Sequence, residues 1–94
     1  MDGPRRVMCV EDDADIRMIL EFSLQRLGGY ELCLCASGQE AIDRVAVFSP
    51  DLVLLDVMMP GLSGPQTLEL LRKQPAMSGV PVVFLTAKAM LNEV

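Results

Sequence analysis

The sequence contains no histidine and only three cysteines, Cys9, Cys33 and Cys35, an odd number without regular spacing. No zinc-binding set can be assembled from them, and a disulfide framework is not expected. Cys33-x-Cys35 places two thiols on one face of a strand, where reduced cysteine serves as a small apolar core residue. Cations are few, with 8 Lys and Arg against 13 Asp and Glu, a net charge of -5 and a pI near 4.5. Such a surface does not track nucleic-acid phosphates, so no nucleic-acid contact is expected through these residues. Acids follow soon after the first apolar residues, so neither a signal peptide nor a membrane span is predicted, and the expected compartment is the cytoplasm. Neither G-x-x-x-x-G-K-[ST] nor G-x-G-x-x-G occurs, so any phosphate chemistry need not use a nucleotide.

What is present fits one globular domain: 94 residues, 51% of them hydrophobic and 22% charged. Short apolar runs alternate with helical patterns. Arg6 to Val10, Tyr30 to Ala36, Leu52 to Asp56 and Val80 to Thr86 read as strands. The third run lacks polar alternation, as suits a strand covered on both faces. Between the strands, Ile16, Ile19, Leu20, Leu24 and Leu27 recur with helical period, and Asp13 is the natural N-cap. Gly28-Gly29 marks the end of this first helix. Ser37-x-x-Glu40 has the spacing of a capping box before a second helix with Ala41, Ile42, Val45 and Ala46 inward. Pro65 opens a third helix with Leu68, Leu71 and Leu70 on its inner side, and Pro75 stops it. Ala87 onward reads as the start of another helix. The β-α-β-α-β-α-β order predicts a parallel sheet with helices on both faces, which gathers the carboxyl ends of the strands on one rim.

That rim collects Glu11, Asp12, Asp56 and Thr86. Asp56 taken alone would pass for a turn residue before Pro60-Gly61. Beside Glu11 and Asp12 it is one of three converging carboxylates, which repel one another unless a cation lies between them. A hard divalent ion such as Mg²⁺ takes oxygen ligands and commonly combines carboxylates with phosphate oxygens. A carboxylate is also a competent nucleophile toward phosphorus, and a hydroxyl such as that of Thr86 can hydrogen-bond a transferring oxygen.

Val10-Glu11-Asp12-Asp13, Leu54-Leu55-Asp56 with Met59-Pro60-Gly61 after it, and Phe84-Leu85-Thr86-Ala87 resemble the receiver domain of two-component response regulators, in order and spacing, from about Arg5 to the last residue. The resemblance implies a flavodoxin-like three-layer α/β sandwich with a parallel sheet in the order 2-1-3-4. It implies that Asp56 accepts a phosphoryl group from a sensor histidine kinase or a histidine phosphotransfer protein. Glu11, Asp12, Asp56 and the backbone carbonyl of Met58 would hold Mg²⁺, and Thr86 would be the hydroxyl that turns toward the phosphoryl group. Met58 and Lys88 match variable positions that flank the site. The family completes its site with a lysine on a fifth strand, followed by a last helix, and these require about 20 to 30 further residues. Residues 1–94 are therefore expected to form a receiver domain incomplete at its C-terminus. Its fourth strand would present an open edge on which a second copy could pair as a homodimer.

Two rival functions follow from the same acids. A haloacid-dehalogenase-like phosphatase would turn over substrate, but it needs an acid two residues after its nucleophile, where this chain has Met58. A receiver-like interaction module that is never phosphorylated would keep the fold and use it only for protein contacts.

Overall fold

A computed structural model describes residues 5–85. Four parallel strands, β1 (Arg6–Val10), β2 (Glu31–Cys35), β3 (Leu52–Asp56) and β4 (Val82–Leu85), form one sheet in the order β2-β1-β3-β4. This is the predicted order. β1 and β3 are central, with Val10 level with Leu55 and with Cys35, so the ends of neighbouring strands finish at one height.

Three helices connect the strands: α1 (Ala14–Leu20), α2 (Gly38–Phe48) and α3 (Gly64–Leu71). The pleat sends alternate strand residues to opposite faces. On one face Met8, Val10, Cys33, Cys35, Val53 and Leu55 form the main core, together with Ala41 and Val45 of α2 and Leu71 of α3. Met77, in the short 3₁₀ turn Pro75–Met77, is fully buried in the same core. Burying a side chain of this size contributes about 1.5–3 kcal/mol. The cysteines behave as expected, all three being reduced and buried, and burial pushes the Cys9 thiol up to about 12.

The first helical segment departs from its sequence pattern. α1 ends at Leu20, and the chain continues as a π-helix from Glu21 to Leu27 before Gly28 and the left-handed Gly29. A π-helix bonds i to i+5. Residues spaced for a 3.6-residue turn then no longer share a face beyond Leu20. Of the expected stripe only Ile16 is buried, while Ile19, still within α1, and Leu27 are exposed. Smaller corrections concern the other helices. Ala46 and Leu70 face outward, and the inner position on α3 is taken by Thr67 beside Leu71. The Ser37 hydroxyl caps α2 by accepting the Glu40 N–H, but the Glu40 carboxylate reaches past the cap to the N–H of Ala36. α3 ends at Leu71, four residues before Pro75. Among the described residues no helix is long and apolar enough to cross a membrane.

One exposed acid ties the sheet together at the end away from the rim. Asp51 Oδ2 accepts the backbone N–H groups of Arg5 and Arg6, each at 3.0 Å, joining the start of β1 to that of β3. Those two bonds hold the Asp51 carboxyl below its usual range. A carboxylate whose folded-state pKa is depressed stabilises the fold above its unfolded value and loses that contribution as pH falls through the folded value. Asp51→Asn is therefore expected to lower the urea midpoint at neutral pH. The difference between the two chains should shrink once the pH passes below 3.8 and vanish in stronger acid.

Candidate metal centre

β1 ends at Val10, and the chain bends at once through Glu11 and Asp12 into α1. The bend is locally determined. Asp13 caps α1, its Oδ1 accepting the N–H of Asp15 at 2.8 Å and that of Ile16 at 3.3 Å. The Glu11 N–H donates to the Cys35 carbonyl at 2.9 Å, extending the β1–β2 ladder one residue beyond the strand. Glu11 Oε2 accepts the Asp13 N–H at 3.0 Å. Asp56 is the last residue of β3, level with Leu85 of β4.

One oxygen from each of Glu11, Asp12 and Asp56 lies within 4.8 Å of the others. Glu11 is fully buried and Asp56 is 2% exposed, whereas Asp12 is half-buried. The three acids singled out in the sequence thus meet at the carboxyl ends of β1 and β3, the crevice where open α/β sheets bind ligands. Carboxylate oxygens gathered at this spacing form a hard donor set suited to a divalent ion that prefers oxygen. A cleft of about 430 Å³ opens beside them, lined by Asp12, Val57, Met58, Met59, Pro60 and Ser63. Met58 is 72% exposed, and its N–H approaches Asp56 Oδ1 at 3.4 Å. Thr86 and Lys88 lie outside the described residues.

Two supports of the site were not anticipated. The Arg17 guanidinium, one turn into α1, donates to the Glu11 backbone carbonyl at 2.8 Å and fixes the bend from below. Its separation from Glu11 gives no sequence signal, since the two meet only because the chain reverses between them. Gly64 is the other. Its N–H donates to the Val57 carbonyl at 2.8 Å, and a Cβ at this position would stand 2.9 Å from Val57 Cα and 3.1 Å from the Asp56 carbonyl carbon. α3 can therefore begin directly against the end of β3 only with glycine there. Ser63 caps α3 through a complete capping box with Gln66, a signal the Ser63-x-x-Gln66 spacing does carry.

Residues 7–94 match the family model described as the response regulator receiver domain. The chain belongs to this family. Among curated relatives, an uncharacterized transcriptional regulatory protein YrkP of Bacillus subtilis (strain 168) is 48% identical over 84 residues, 89% of this chain and 34% of its own length. The receiver domain thus spans about a third of that relative. Among solved structures, the N-terminal domain of a response regulator receiver protein from Methanoculleus marisnigri JR1 is similar with a TM-score of 0.80 at 38% identity, covering 87% of this chain and 66% of that one. The receiver domain of the sensor histidine kinase PA1611 from Pseudomonas aeruginosa PAO1 superposes with a TM-score of 0.81 at 27% identity, covering 97% of this chain and 74% of that chain. That structure was solved with a magnesium ion coordinated in its active site cleft.

Proposed function

We propose that this receiver domain accepts a phosphoryl group on Asp56 from a sensor histidine kinase or a histidine phosphotransfer protein, and that Glu11, Asp12 and Asp56 hold Mg²⁺ for the transfer. The observation that carries this reading is the meeting of three carboxylates within 4.8 Å beside an open cleft. When bound, the ion supplies positive charge to offset that of the carboxylates and of the incoming phosphoryl oxygens. An Asp56 carboxylate oxygen attacks phosphorus, the phosphorus–nitrogen bond of the donor's phosphohistidine breaks, and the imidazole leaves with the electron pair. Glu11 and Asp12 hold the ion, Asp12 from the half-exposed side that borders the cleft. The Met58 carbonyl is assigned as a further ligand. Thr86 follows Leu85, the residue level with Asp56, and its hydroxyl is assigned the hydrogen bond to the bound phosphoryl group. Transfer from kinase to carboxylate makes this a cytoplasmic signalling domain whose chemistry is confined to its own aspartate, and pairing of two copies along the β4 edge belongs to the same reading.

Acetyl phosphate tests the reading without the kinase. In the presence of Mg²⁺ the chain is expected to gain the mass of one phosphoryl group as an adduct that hydroxylamine removes, and chelation with EDTA should prevent the gain. Continuous release of phosphate over many turnovers would point to a phosphatase instead. No adduct with the ion present would leave only the interaction module.

A further inference from the structure

Cys33 and Cys35 point to the same side of β2, their Sγ atoms 3.9 Å apart, close enough for one thiol to donate to the other. β2 is an edge strand among the described residues. Against it, between β2 and the last turns of α2, lies a cavity of about 360 Å³ lined by Arg6, Cys33, Asp43, Arg44, Val47 and Phe48. Cys33 is the cysteine on that lining and keeps 3% exposure, whereas Cys9 and Cys35 have none. The three thiols are alike in sequence and differ in access.

Two guanidinium groups, those of Arg6 and Arg44, border the cavity. Arg44 lies on the lining, and its guanidinium is held above its usual range first by Cys33 and then by its hydrogen bond to Glu40. Arg6 faces the same space over the Phe48 ring, 4.5 Å from its centroid. The acids nearby are already engaged, Glu40 by Arg44, Glu31 by Arg6 and Asp43 by the Gln39 amide. A cavity that brings guanidinium groups and a second thiol to the Cys33 side chain offers an incoming disulfide a polar approach to its sulfur.

We propose that Cys33 is a modification site that forms mixed disulfides with small disulfides, which reach its Sγ through the cavity between β2 and α2, while Cys9 and Cys35 remain untouched. The Cys33 thiol releases its proton to solvent and the thiolate attacks one sulfur of the incoming disulfide. A Cys33–S–S–R bond forms, the original sulfur–sulfur bond breaks, and one thiolate leaves. Cys35 does not complete an internal disulfide easily. Two residues along a strand separate Cα atoms by about 6.6 Å, near the limit a disulfide spans.

Dithiodipyridine, a small neutral disulfide, is the probe, read by released thiopyridone and by intact mass. The folded chain is expected to take up a single equivalent rapidly, and peptide mapping should place it on Cys33. Cys33→Ala should abolish the rapid phase and Cys9→Ala should leave it. Val47→Trp narrows the entrance without touching a thiol and is expected to slow the reaction about tenfold. Uptake only after denaturation, equal labelling of all three cysteines, or mapping of the rapid adduct to Cys9 or Cys35 would overturn the assignment. Because mapping and the Val47 variant both leave Cys33 in place, the outcome does not depend on Cys33→Ala folding.

Discussion

An Asp56→Asn chain is expected to take up no phosphoryl group from acetyl phosphate at any Mg²⁺ concentration, and to bind Mg²⁺ about ten- to hundredfold more weakly than the unaltered chain. Both effects come from one side chain at the end of β3. The amide keeps the shape of the carboxylate, so the strand end and the cleft should be retained. It removes the negative oxygen that attacks phosphorus, since an amide is not a nucleophile of comparable strength. It also removes one formal charge from a donor set in which Glu11 is fully buried and Asp56 is 2% exposed. Intact mass after incubation with acetyl phosphate reads the first effect, and calorimetric titration with Mg²⁺ reads the second. A mutant that still gained a hydroxylamine-labile phosphoryl group would move the acceptor to another residue. A mutant that bound the ion as tightly as the parent would remove Asp56 from the metal set.

The second large effect is expected from a residue without a side chain. Gly64→Ala should destabilise the domain by about 1–3 kcal/mol and, in the fraction that folds, slow phosphorylation of Asp56. The new methyl group would stand 2.9 Å from Val57 Cα and against the backbone of Asp56, and backbone cannot rotate away as a flexible side chain can. Either α3 lifts off the end of β3, breaking the Gly64 N–H to Val57 carbonyl bond of 2.8 Å, or the strand end moves and takes the Asp56 carboxylate with it. Gly61→Ala is the informative comparison. Gly61 has φ of +76° with open space around its Cβ position, so alanine there costs about 1–2 kcal/mol of conformational strain without pressing on Asp56. Urea unfolding should therefore register both variants, while the acetyl phosphate rate per folded molecule should fall only for Gly64→Ala. Equal rates in the two would mean that α3 gives way alone and that Gly64 serves stability only.

The parallel sheet and its rim were legible because they depend on chemistry that the sequence states directly, whereas the strand order came from the family resemblance. Unbroken apolar runs mark covered strands, short connections between alternating strands and helices require a parallel sheet, and a parallel sheet puts successive strand ends on the same side. Glu11, Asp12 and Asp56 needed only that rule to be brought together. The caps at Asp13 and Ser37 are of the same local kind, decided within three residues of the helix start.

Tertiary structure decided what depends on distances between elements. The apolar period from Ile16 to Leu27 did not reveal that the helix would widen to π winding at Glu21 and turn Leu27 to solvent, because the period records composition and not the hydrogen bonds chosen. Arg17 reaches the Glu11 carbonyl only through the reversal between β1 and α1. Gly64 looks like any loop glycine until α3 is seen against the Asp56 backbone. Cys33 is distinguished from Cys9 and Cys35 only by a cavity that α2 leaves beside β2. The sequence by itself determined the parallel sheet and the identity of the three converging acids, since periodicity and charge are properties of the chain. How tightly those acids are held, and which thiol can be reached, are properties of packing between elements and arise only once the chain has folded.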